Sequence, residues 1–141
     1  MTGFGKRHLI FRQKKKDGNS VPIGKENMVD YNELDKKARL GAFSTLDMEV
    51  LVPEVQALKP GGVYLEIGVD KGKSLSVARM VAIEGVRVFG IDLKDDPKVP
   101  GTTFLQGDSK EVVKIWDVHT DVQPRKISVL FIDGDHSYEG C

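Results

Sequence analysis

The sequence predicts an α/β protein built on a Rossmann-like, doubly wound, mostly parallel sheet. Three observations predict it. From residue 61 onward, short apolar runs alternate with segments whose apolar residues recur every three or four positions. Each apolar run ends in a polar or glycine-bearing stretch. The length of 141 residues fits one domain and leaves little room for two. Strands that alternate with helices form βαβ units, and right-handed crossovers collect the strand C-termini along one edge.

In chain order, residues 1–30 read as a basic, flexible arm. Lys6, Arg7, Arg12, Lys14, Lys15 and Lys16 all precede the first acidic residue, Asp17. No aromatic residues alternate with them as a stacking platform for bases requires, so a solvated arm is the expectation. Residues 31–60 read as N-terminal helices. Tyr31 to Leu40 carries charge and a thin apolar face. Ser44 and Asp47 are spaced as a capping box, and Leu46, Val50, Val55 and Leu58 supply an apolar stripe. Pro53 lies inside that stripe and predicts a kink or two short helices. Lys59-Pro60-Gly61-Gly62 stops the helix.

Residues 61–141 read as the ligand-binding half. Val63–Ile67 is a buried strand, Ser74–Glu84 a helix closed by Gly85, and Val86–Leu93 a second strand. Thr103–Gln106 is a short third strand. Ser109 opens a helix with Val112, Ile115, Trp116 and His119 on one face, and Ile127–Ile132 is an apolar fourth strand.

Four strand ends carry the chemistry. Glu66 to Ser74 contains Gly68 and Gly72 in the pattern G-x-x-x-G between a strand and a helix start. Glycine permits the sharp turn and a close approach of ligand to backbone, and the helix N-terminus favours an electron-rich or carboxylate group. The spacing is neither the dinucleotide G-x-G-x-x-G nor a P-loop. Asp92 ends the second strand about 20 positions past Gly72, where an acidic residue accepts hydrogen bonds from ribose hydroxyls. Asp108 and Ser109 compete as helix caps, and Asp108 is also placed to accept from an adenine amino group. Asp133-Gly134-Asp135-His136 brings carboxylates and an imidazole to the fourth strand end, a set that suits a divalent cation or a general base.

Composition narrows the classes. Lys+Arg and Asp+Glu are 21 each, so the formal charge is zero and a nucleic-acid partner is not expected. The one cysteine, Cys141, excludes a disulfide within the chain and a multi-cysteine zinc site. No apolar run approaches the roughly 18 residues of a membrane span, and the polar N-terminus lacks a secretory signal's apolar core. A cytoplasmic location without membrane contact is the expectation.

With these motifs in order after successive strands, Lys59 to Gly140 resembles the class I S-adenosylmethionine-dependent methyltransferases. Its E-x-G-x-x-x-G-x-S and D-G-D-H-S-Y-E-G motifs look closest to the small-molecule O-methyltransferase branch. The resemblance implies that Glu66 and Gly68 lie against the methionine portion of S-adenosylmethionine, and that Gly72 and Ser74 shape the helix start. It places Asp92 at the ribose, Asp108 near the adenine, and Asp133 beside the methyl group. It implies transfer of that methyl to a small-molecule hydroxyl acceptor, with Asp133 and His136 as catalytic residues. In metal-dependent relatives Asp133's position binds Mg2+. Alternatives are a nucleotide-dependent oxidoreductase, which the missing G-x-G-x-x-G argues against, and a non-catalytic interaction module.

The family's sheet has seven strands. Four are recognisable here before Cys141, so the resemblance implies a truncated domain with incomplete acceptor binding. It would leave Ile127–Ile132 as an open apolar edge, which invites a second copy or a completing chain.

Overall fold

β-Branched and aromatic residues in short runs favour strands, and three- to four-residue spacing favours helices. In the computed structural model, which describes residues 9–12, 28–121 and 126–133, both patterns are realised. The order is β1 (Leu9–Arg12), α1 (Tyr31–Lys37), α2 (Thr45–Gln56), β2 (Val63–Ile67), α3 (Lys73–Val81), β3 (Arg87–Asp92) and β4 (Thr103–Gln106). A 3-10 turn (Ser109–Glu111), α4 (Val112–His119) and β5 (Val129–Ile132) follow. The sheet order is β1-β5-β2-β3-β4, with β2 to β5 parallel and β1 antiparallel to β5. The fold is therefore α/β and Rossmann-like.

The chain steps outward from β2 through β3 to β4, then returns to the other side of β2 as β5. That reversal leaves a crevice between the carboxyl ends of β2 and β5, the place where open α/β sheets bind ligands.

Alternating side chains on β2 serve two cores. Tyr64 joins Val88, Val129 and Phe131 beneath α2 and α3. Val63, Leu65 and Ile67 join Phe89, Ile91, Leu105 and Trp116 of α4 on the other face. Burial on both faces explains why β2 is apolar at four of its five positions, with Glu66 the exception. Trp116 docks α4 edge-on to Phe89, with ring centroids 4.8 Å apart.

Several expectations change. α2 is one helix through Pro53. Met48, Leu51, Val52 and Val55 are fully buried on both sides of the proline, so packing outweighs one forfeited backbone hydrogen bond. The buried stripe is rotated from the expected one: Leu46 and Val50 face solvent, while Val55 and Leu58 are buried. The capping box is present, with the Ser44 N–H donating to Asp47 Oδ2 at 2.7 Å. The helix expected from Ser74 to Glu84 spans Lys73–Val81, and the one expected from Ser109 begins with the 3-10 turn. The strand expected over Ile127–Ile132 begins at Val129.

The edge of β5 is not open. β1, inside the stretch read as a basic arm, pairs along it in the register Leu9↔Ile132 to Arg12↔Val129. Leu9-Ile10-Phe11 is a short apolar run among basic residues, and its backbone satisfies the edge groups of β5. The expectation that this edge recruits another chain is corrected accordingly.

Candidate functional site

Backbone geometry builds the site first. After β2 the chain turns through Gly68 at φ +88° and Asp70 at φ +50°, and enters α3 through Gly72 at φ +85°. A side chain at Gly72 would lie 2.8 Å from Val99 Cγ2 and 3.1 Å from Pro97 Cγ, so glycine is required by both conformation and space. The turn thereby lies flush against the loop that follows β3.

Four of the turn's backbone donors are engaged within the protein. Gly68 N–H donates to Ile91 O at 2.8 Å, and Gly72 N–H to Val69 O at 2.9 Å. Val69 and Asp70 N–H both donate to Asp92 Oδ2 at 2.7 Å. Asp92 Oδ1 accepts from Lys94 N at 3.0 Å. A carboxylate offers about four lone-pair positions, so Asp92 keeps acceptor capacity for a further donor. A pyrophosphate would meet the Asp92 charge where a dinucleotide fold presents free N–H groups. Asp92 itself therefore suits a hydroxyl donor.

A cavity of about 340 Å³ opens at this crevice. Of the residues singled out in the sequence, Gly68, Ser74, Asp92 and Asp133 line it. Gly72 lies below, as the α3 N-cap residue. Asp108 lies elsewhere: its Oδ1 accepts from Lys110 N at 2.9 Å, which realises the capping alternative. His136 lies outside the described residues. Sequence reasoning missed Gly41, Ala42 and Phe43, which wall the cavity from the loop between α1 and α2. It also missed Lys71, Lys73 and Lys94 at the rim. A loop between two helices carries no motif, so no local signal marks the first three.

Glu66 is fully buried beneath the cavity rather than on its lining. Tyr64 Oη donates to its Oε2 at 2.8 Å, and Ser74 Oγ donates to its Oε1. Burial pushes the Glu66 carboxyl up to about 8, against the opposing hydrogen bonds from Ser74 and Tyr64 and with added repulsion from Asp133 and Asp92. Tyr64 is raised well above its ordinary value by burial and then by Glu66. At the rim, Lys94 Nζ lies 2.6 Å from Asp70 Oδ1, and its hydrogen bond holds the Asp70 carboxyl below the usual range.

Fold and site together define a Rossmann-like α/β domain with a cavity at its topological switch point, lined by three aspartates and three lysines. Over 86 residues the chain is 33% identical to ribosomal RNA large subunit methyltransferase E of Desulfatibacillum aliphaticivorans, covering 60% of this chain and 42% of that protein. It is 29% identical over 76 residues to the methyltransferase of the same name from Chromobacterium violaceum, covering 54% of this chain and 37% of that protein. A third relative, from Bdellovibrio bacteriovorus, is 27% identical over 119 residues, covering 75% of this chain and 61% of that protein. The chain thus spans about two fifths of the length of the first two relatives. No protein-family profile and no solved structure matches it.

These likenesses support the class I methyltransferase resemblance and give none to the small-molecule O-methyltransferase branch. They overturn the expectation against a nucleic-acid partner, since all three relatives are named for ribosomal RNA. Net charge was a poor guide because it averages over the whole surface, whereas nucleic acid responds to local fields. Among the described residues no group of three His, Cys, Asp or Glu is arranged to hold a metal, so Mg2+ at Asp133 gains no support. Among the described residues no helix is long and apolar enough to cross a membrane.

Proposed function

We propose that the chain is the cofactor-binding part of an S-adenosylmethionine-dependent methyltransferase whose acceptor is RNA. One observation carries the cofactor reading: the Asp92 carboxylate closes the glycine-bearing turn and still has capacity to accept from a hydroxyl. S-adenosylmethionine presents ribose hydroxyls, two cationic centres and a carboxylate and lacks a phosphate, which suits a cavity of this size lined by both aspartates and lysines. When bound, it supplies a methyl group on a positively charged sulfur. In this reading Asp92 holds the ribose, Gly68 admits close approach to the backbone, and Ser74 and Asp133 border the remainder. Asp133, at the β5 end, orients the acceptor side. Phe43 excludes water from the opposite wall. Residues 61–141 are the binding half, and residues 31–60 contribute that wall.

The acceptor reading is supported by the names of the three relatives. Methyl transfer is an in-line displacement, so the domain's contribution is alignment and exclusion of solvent.

Calorimetric titration of the purified chain with S-adenosylhomocysteine tests the cofactor reading. A micromolar dissociation constant, independent of Mg2+, is expected. A folded chain that binds nothing refutes it. Labelled methyl transfer to ribosomal RNA, set against transfer to small hydroxyl compounds, tests the acceptor. Labelling of the small compounds and not the RNA would refute that part.

A further inference from the structure

α1 and the loop between α1 and α2 are tied across the glycine-bearing turn at several points. Asp35 Oδ1 lies 2.6 Å from Lys73 Nζ, and the Lys73 side chain is only 13% exposed. Arg39 spreads its guanidinium over two consecutive carbonyls, with Nη1 donating to Pro97 O and Nη2 to Lys98 O. Gly41 presses on the first residue of α3: a Cβ there would sit 2.8 Å from Lys73 Cβ. Phe43 is buried and meets Phe131 edge-on, with ring centroids 5.9 Å apart.

The other end of the Arg39 tie is the loop that seats Gly72. Lys98 adopts φ +57° there, and its N–H donates to Asp96 Oδ1 at 2.7 Å. Pro97 and Val99 pack on Gly72. Arg39 therefore bridges two chain segments about 58 residues apart, one forming the cavity's outer wall and the other bracing its turn.

We infer that Arg39 is a positioning residue for the cavity: its fork holds residues 38–43 in place as the outer wall and so governs how long a ligand stays. A planar guanidinium aims two donors at adjacent carbonyls, whereas a lysine ammonium on a single flexible stem does not reproduce that geometry. Asp35 and Phe43 keep the wall's flanks attached, so loosening Arg39 frees the middle, Leu40 to Ala42. Affinity differences within one site fall mainly on the dissociation rate, which is where the effect belongs.

The inference rests on the cofactor reading for its ligand, and its test separates the two. Dissociation of S-adenosylhomocysteine is measured by stopped flow for the full chain, Arg39→Ala and Arg39→Lys. Arg39→Ala is expected to raise the dissociation rate about tenfold or more and change the association rate less than about threefold. Arg39→Lys should recover only part of this. Equal dissociation rates in all three proteins overturn the inference. So does full recovery by lysine. Hydrogen exchange on the ligand-free proteins gives a readout that needs no ligand. Amides of residues 40–43 should exchange about tenfold faster in Arg39→Ala, with β2 and β3 unchanged. Unchanged exchange at residues 40–43 overturns the inference even if the ligand binds. If the wild-type chain ignores the ligand while Arg39→Ala shows the faster exchange, the cofactor reading is refuted and the Arg39 tie stays supported.

Discussion

Replacing Glu66 by glutamine should flatten the pH dependence of stability. The folded chain holds the Glu66 proton to about pH 8, whereas the ordinary value is near 4.5. Between these values the folded state binds one more proton than the unfolded state, so stability falls as pH rises. The stabilising contribution is fully present below about 4.5 and is lost as pH climbs through 8. The slope is about 1.4 kcal/mol per pH unit, and over roughly three and a half units it accumulates to about 5 kcal/mol. Glutamine has the shape of the protonated acid, and can accept from Tyr64 Oη while its amide donates to Ser74 Oγ. The variant should therefore keep its fold and lose that slope. Urea denaturation at pH 5, 6, 7 and 8 provides the comparison, followed through Trp116, the chain's one tryptophan, buried against Phe89. Every other ionisable group is common to both proteins and cancels in the difference. Parallel stability curves for the two proteins would refute the reasoning, because they would mean Glu66 ionises in the folded chain as freely as in the unfolded one.

Asp92→Ala removes the acceptor of Val69 and Asp70 N–H and, in the proposed cofactor pose, the ribose acceptor. Calorimetry should show S-adenosylhomocysteine bound about 1–3 kcal/mol more weakly, the usual cost of an unpaired buried partner. Gly72→Ala forces a left-handed backbone on alanine and a contact with Val99, and should cost about 3 kcal/mol in a denaturant titration. Pro53→Ala restores one backbone donor within α2, at an exposed position, and should raise the thermal midpoint by a few degrees.

Much of the architecture could be read from the sequence because its causes are local. β2, β3 and β4 follow from runs of branched and aromatic residues, and the α2 start follows from Ser44 and Asp47. The site's position at the strand ends follows from right-handed crossovers, and Asp92 was identifiable from its distance past Gly72. The relatives' names, which point to ribosomal RNA, supplied what neither motif nor composition carries.

Tertiary structure alone decided the rest. Whether Pro53 breaks α2 depends on the core to either side, which sequence periodicity does not weigh. The partner of β5 is a four-residue strand more than a hundred positions earlier, a pairing that no local pattern announces. Asp108 accepts from Lys110 N and does not line the cavity. The same long-range logic places Gly41 to Phe43 on the cavity and gives Arg39 its two carbonyls. Glu66 looks like a cavity residue in the motif, yet strand alternation turns it beneath α3, where Tyr64 and Ser74 enclose it. Sequence by itself determined the strands β2 to β5, the helices among them and which edge carries the site, but not β1. Packing between distant segments determined what faces that site, because burial and hydrogen-bond partners are properties of the assembled chain.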